Sequence, residues 1–242
     1  MPYGYYYGGY GDFLANNIYC ILLIPILLLS VWAQAQVSGN FKRYSTIANK
    51  RHLTGAQAAE AVLRAHGIYN VSIRPCAGSL TDHYDPRDNS ISLSQDVYNS
   101  ATIAAVGVAA HEAGHAVQYA VGYGPVKLRT AIIPATQLGS KFSFILLLLG
   151  MILYVQPLFL FGIVLFSLTT IFQLITLPVE FNASHRALVT LEEQGILYDD
   201  ELNGARKVLR AAALTYVAAL LTSLLYLARY VMVFLSMGRR DE

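Results

Sequence analysis

Charge is scarce in this chain. Only 13% of its 242 residues are Asp, Glu, Lys or Arg, against roughly a quarter in an ordinary soluble domain. Cysteine is nearly absent as well: Cys20 lies in an apolar run, Cys76 in a polar one, and no Cys-x-x-Cys occurs. That excludes a disulfide scaffold and a thiolate zinc site. The formal net charge of +2 by itself says little about partners; no nucleic-acid partner is expected. What is abundant is apolar sequence, at 55% of residues with a mean hydropathy of +0.44. This composition points to an integral membrane protein whose first partner is the lipid bilayer.

The apolar residues fall into four runs. Residues 18–37 form the first, read as an uncleaved transmembrane helix, since the stretch before it lacks Lys and Arg and carries Asp12. Residues 131–177 hold two more, broken at Gln156-Pro157 and read as a transmembrane hairpin. The last, within 208–242, is read as a fourth spanning helix with a short tail. Residues 1–17, rich in Tyr and Gly, read as a flexible tail.

Between the first run and the hairpin, residues 38–130 are mixed in polarity and long enough for a small catalytic region. Thr54-Gly-Ala-Gln57 has the pattern of a capping box opening a helix that stops at Gly67. Val71–Arg74 alternates as a strand does, and Thr81–Tyr84 and Ser90–Ser94 flank a turn at Asp85-Pro-Arg-Asp-Asn89. The strand Ser90, Ile91, Ser92, Leu93, Ser94 is either the exposed edge on which an extended peptide substrate would pair or, equally, a strand that merely packs the helix after it.

A helix over about Ser100–Val121 then carries the motif His111-Glu112-Ala-Gly-His115. Residues i and i+4 share a helix face, so both imidazoles can reach one metal ion. Glu112 is rotated about 100° from His111. It is placed to act as the general base rather than as a third ligand. Two histidines, a base and an open position form the zinc-peptidase constellation. A helix with two buried histidines bonded to backbone is the plain alternative.

A catalytic zinc needs a third protein ligand. Glu180 follows the hairpin, with Pro178 suited to the first turn of a new helix over residues 178–207. His185 and an aspartate of the 82–88 loop are the alternatives. Ten of the seventeen Lys and Arg residues fall in 34–141 and four in 178–210. By the positive-inside rule both segments face the cytoplasm and share one side of the membrane. Arg239-Arg240 dissent weakly.

Four blocks carry a family resemblance: Leu80-Thr-Asp-His-Tyr-Asp-Pro86, Val106–Gln118, Leu177-Pro-Val-Glu-Phe-Asn-Ala-Ser184, and Leu209–Ala219. Over about residues 18 to 235 the chain resembles the YugP-like neutral zinc metallopeptidases, a family of bacterial membrane proteases. The resemblance implies a Zn²⁺-dependent endopeptidase in the bacterial plasma membrane, acting on a protein or peptide substrate. More distantly the chain is similar to the HtpX and CAAX-prenyl-protease type, in which a Glu-x-x-x-Asp helix supplies the third ligand and orients the first histidine. Glu180 stands at the ligand position and Ser184 where the Asp would be. The partner of His111 is therefore either the neutral Ser184 or another acid such as Asp82. His83, in the first block, is a candidate donor to the oxyanion of hydrolysis, and His185 is a further candidate beside the ligand helix.

The expected architecture is mainly α-helical: about four transmembrane helices plus a small juxtamembrane α+β zincin-like catalytic domain. Two other readings compete. One is an intramembrane protease of the site-2 type, although no later Asp-Gly motif is seen. The other is a membrane scaffold with a structural zinc, which an intact Glu112 disfavours.

Overall fold

The computed structural model describes residues 10–238. Most of the Tyr/Gly-rich tail and Arg239-Arg240 lie outside the described residues, as does the side chain of Cys20. The chain is mostly helical, in the order α1 (Tyr10–Tyr44), α2 (Gly55–Ala65), β1 (Ser72–Cys76), β2 (His83–Asp85), β3 (Ser90–Ser94), α3 (Gln95–Tyr98), α4 (Ile103–Ala120), α5 (Gly124–Ile152), α6 (Gln156–Glu193) and α7 (Asp199–Gly238).

Among the described residues, four helical stretches are long and apolar enough to cross a membrane: Ile21–Tyr44 of α1, and α5, α6 and α7. At 1.5 Å per residue α6 and α7 run to roughly 57 and 60 Å, about twice the hydrocarbon thickness of a bilayer. Helix α1 begins at Tyr10, inside the stretch read as a tail. Helix α6 runs without interruption through Pro178, so Glu180 does not open a new helix as the proline suggests. A proline inside a helix removes one hydrogen bond and crowds the preceding turn, a cost that neighbouring apolar turns can absorb.

The chain forms two compact units. One contains the described residues up to Trp32, Ala135–Ile171 and the described residues from Ala218. Its core is Leu147, Phe159 and Ile163, with Tyr230 edge-on to Phe159 and Phe166. Gly150 and Gly162 lie where a Cβ would strike Phe159 or Leu147, so α5 and the start of α6 pack backbone to backbone. Arg229, an expensive charge in an apolar run, sits with its guanidinium 5.1 Å from the Tyr19 ring centre.

The other unit contains Ala33–Pro134 and Phe172–Val217. Thr54 caps α2 through the full reciprocal box with Gln57, which satisfies two otherwise orphaned amides. Strand β1 pairs parallel with β3, and β2 pairs antiparallel with it, giving the order β1-β3-β2. Strand β3 is therefore central and wholly buried, with Ile91 and Leu93 in the core. This corrects the edge assignment of Ser90–Ser94: both its sides already hold backbone partners, so it has none free for a substrate.

Helix α4 crosses this core. Thr102 caps it by accepting from Ala105 N–H, and 14 of its 18 residues are buried. A helix covered on nearly all sides must be built of small or apolar residues. The Ala and Gly content of Ile103–Ala120 meets that demand and makes the buried Glu112, His115 and Gln118 conspicuous.

Candidate metal centre

Three donors converge. His111 and His115 of α4 and Glu180 of α6 each bring a ligand atom within 4.8 Å of the other two. Glu180 Oε2 lies 3.3 Å from His111 Nε2 and 3.6 Å from His115 Nε2. A tetrahedral zinc bound at about 2.05 Å sets its donors roughly 3.3 Å apart, so the spacing fits the ion.

The close approach of α4 and α6 comes from Gly114. A Cβ there would lie 2.6 Å from the Ala183 carbonyl oxygen, so only glycine lets the two backbones meet at the turn facing Glu180. Gly107 packs closely against α7, where a Cβ would stand a tight 3.2 Å from that of Ala205.

Each donor is held from behind. Ser184 Oγ lies 3.1 Å from His111 Nδ1. On His115, Nδ1 lies 3.1 Å from Gln118 Oε1. Arg129 Nη1 donates to Glu180 Oε1 at 3.1 Å, which leaves Oε2 for the imidazoles. Burial alone pushes the His115 pKa down, but the Glu180 and Glu112 carboxylates outweigh it and hold it above its ordinary value. The surroundings therefore favour positive charge at this point. Two imidazoles facing one buried carboxylate oxygen suit a divalent cation on donor chemistry alone.

Glu112 is treated differently. It is 8% exposed and, among the described residues, accepts no hydrogen bond. A carboxylate beside the donors with both oxygens uncommitted suits proton transfer.

The other candidates lie apart from this cluster. The Asp82 carboxylate accepts from Ser94 N–H at 2.8 Å and from Ser94 Oγ. It fastens the loop to the end of β3, so the alternative in which Asp82 serves His111 gives way to Ser184. Asp85 is committed to Arg87, whose guanidinium holds it down at about 2, and Asp88 to Ser90 and Arg74. No aspartate of that loop is left as a third ligand. His185 is exposed and outside the converging set, so it neither ligates nor supports a ligand here. His83 is exposed on β2, with Nδ1 2.8 Å from the Thr81 carbonyl.

Sequence reasoning missed Gln118, Asn182, Arg186 and Arg129. For Gln118 a signal existed: a polar residue three positions after His115, on the same face of an otherwise apolar helix. Asn182, Arg186 and Arg129 carry no comparable mark.

No solved structure matches this chain. A curated relative, "Putative membrane protease YugP" of Bacillus subtilis (strain 168), is 47% identical over 225 residues, which cover 93% of this chain and 99% of the relative. The model of the family described as "Putative neutral zinc metallopeptidase" matches residues 19–235, a span that takes in both the His-Glu-Ala-Gly-His helix and Glu180. A match over so much of the chain, with donors for zinc converging inside it, places this protein in the neutral zinc metallopeptidase family.

Proposed function

We propose that the protein is a membrane-bound zinc endopeptidase that hydrolyses peptide bonds of membrane or juxtamembrane proteins. The observation that carries this is the pairing of three converging donors with one uncommitted carboxylate. His111, His115 and Glu180 would hold the zinc. Bound there, zinc supplies a Lewis acid that polarises a peptide carbonyl and makes water a nucleophile at neutral pH. Glu112 takes the proton from the attacking water and returns it to the leaving amine nitrogen. Arg129 keeps Glu180 turned toward the histidines throughout.

The substrate takes the edge that β3 cannot offer. Among the described residues strand β2 pairs only with β3, and its Tyr84 packs on Tyr119 of α4 with ring centres 5.4 Å apart. A peptide laid antiparallel along His83–Asp85 would run beside the helix that carries His111. His83, exposed on that strand, would meet the peptide outside the converging donors. A small sheet whose antiparallel edge flanks the His-Glu-x-x-His helix is the arrangement expected of a zincin-like domain. The distribution of Lys and Arg supports a cytoplasmic position for this domain at the plasma membrane.

The test is zinc content together with casein cleavage on detergent-purified protein. Wild type is expected to carry near one zinc per chain and to cleave. Glu112→Gln should keep the zinc and lose about a thousandfold in kcat. Cleavage by Glu112→Gln at the wild-type rate rules out the mechanism, and failure of wild type to take up zinc rules out the centre.

A further inference from the structure

The hydrogen bonds behind His115 can be assigned one by one, because each end of the chain admits a single polarity. An arginine Nε only donates, and Arg186 Nε lies 2.8 Å from Asn182, so the Asn182 atom it meets is the oxygen Oδ1. A backbone carbonyl only accepts, and Val179 O lies 2.8 Å from Gln118, so that Gln118 atom is the nitrogen Nε2. The same Nε2 donates its second hydrogen to Asn182 Oδ1 at 3.0 Å. Gln118 cannot turn over without pointing its oxygen at two acceptors. Its Oε1 therefore faces His115 Nδ1, 3.1 Å away, and can only accept. Nδ1 must carry a proton.

We propose that Gln118, fixed by Asn182 and Arg186, is a positioning residue that locks His115 into the tautomer whose Nε2 lone pair faces the metal position. The inference rests on the zinc centre proposed above and adds what selects one imidazole form. Gln118 is fully buried, so no water competes for Nδ1. The two histidines differ here. The Ser184 hydroxyl beside His111 can donate or accept, so it admits either tautomer, whereas the amide beside His115 admits one. The relay also joins α4 to α6 through Val179, one residue before Glu180, so it holds the spacing of two ligands as well as the proton on one.

The experiment measures zinc affinity of the full-length protein in detergent by competition with a chelator, alongside the visible absorption of the cobalt(II)-loaded protein. Gln118→Met, close in shape but without the amide, should bind zinc about 10- to 100-fold more weakly and shift the cobalt bands. Asn182→Asp retains an acceptor for both Gln118 and Arg186 and should stay near wild type, while Asn182→Leu should lose about tenfold. A Gln118→Met protein that melts cooperatively, binds zinc as wild type does and shows an unchanged cobalt spectrum overturns the proposal. Should that variant fail to fold, the Asn182 pair decides, and equal affinity for the Leu and Asp variants overturns it. Wild type that takes up no zinc removes the centre itself, a different observation from wild-type affinity in a folded variant.

Discussion

Glu112 and Glu180 are both buried carboxylates at one site, yet their surroundings are opposite. Glu180 faces an arginine with one oxygen and two imidazoles with the other. Glu112, one residue after His111, accepts nothing from the described protein. A ligand must be held still before the metal arrives, because ordering it afterwards would subtract from affinity. A base must keep its lone pairs available. On the proposed reading, what surrounds each carboxylate, and not the carboxylate itself, sets its role.

Removing the held member should have the largest effect. Glu180→Ala is expected to strip both zinc and cleavage, since His111 and His115 alone leave two of four positions to water. Metal analysis after dialysis against a mild chelator reads this directly, and retained zinc would take Glu180 out of the ligand set. Glu112→Gln, by contrast, should cost turnover alone. Gly114→Ala comes next. Its new methyl would meet the Ala183 carbonyl, so α4 and α6 must part, at about 1–3 kcal/mol of stability. Zinc affinity should fall with the melting temperature, and a variant with wild-type values of both would show that the close approach is dispensable.

Arg129→Met sharpens the comparison by releasing Glu180 without removing it. Zinc affinity should drop about tenfold, with Glu180 freed to turn between its two oxygens. An unchanged affinity would mean that the histidines alone orient it. Ser184→Ala should have the smallest effect, a loss of a few-fold at most, because the hydroxyl it removes is neutral and its polarity unfixed. Ser184→Asp, which supplies a charged acceptor to His111 Nδ1, should restore or exceed wild-type affinity. A loss as large as that of Gln118→Met would make Ser184 the stronger support.

The parts legible in the sequence are those that depend on neighbours along the chain. The capping box at Thr54, the hairpin turn at 85–89 and the four apolar runs are local patterns. So is the spacing of His111 and His115, which one turn of helix explains. Glu180 could be singled out because it follows an apolar run and stands at the ligand position of the resembled Glu-x-x-x-Asp helix. Strand order was hidden, because β1 reaches β3 by a parallel pairing across an intervening strand, and alternation within β3 does not say how many partners it has. The relay behind His115 was hidden for the same reason. Gln118 and its partners lie 61 and 64 positions apart, and nothing in Val179 or Asn182 marks them as acceptors until α6 is laid on α4. Pro178 misled in the other direction, since a local helix-breaking signal yielded to a long continuous helix.

Strand β2 is only three residues long. Backbone pairing along so short a ledge gives two or three hydrogen bonds, each contributing about 1 kcal/mol net, which is too little to capture a dilute peptide. Nor can it distinguish many side chains, since alternate residues point away from the ledge. On the proposed reading, discrimination then falls to delivery. A substrate embedded in the same bilayer arrives at a high effective concentration that a free peptide in bulk water lacks. The brevity of one strand thus makes confinement to a shared two-dimensional sheet of lipid part of how such a protease would choose what it cuts.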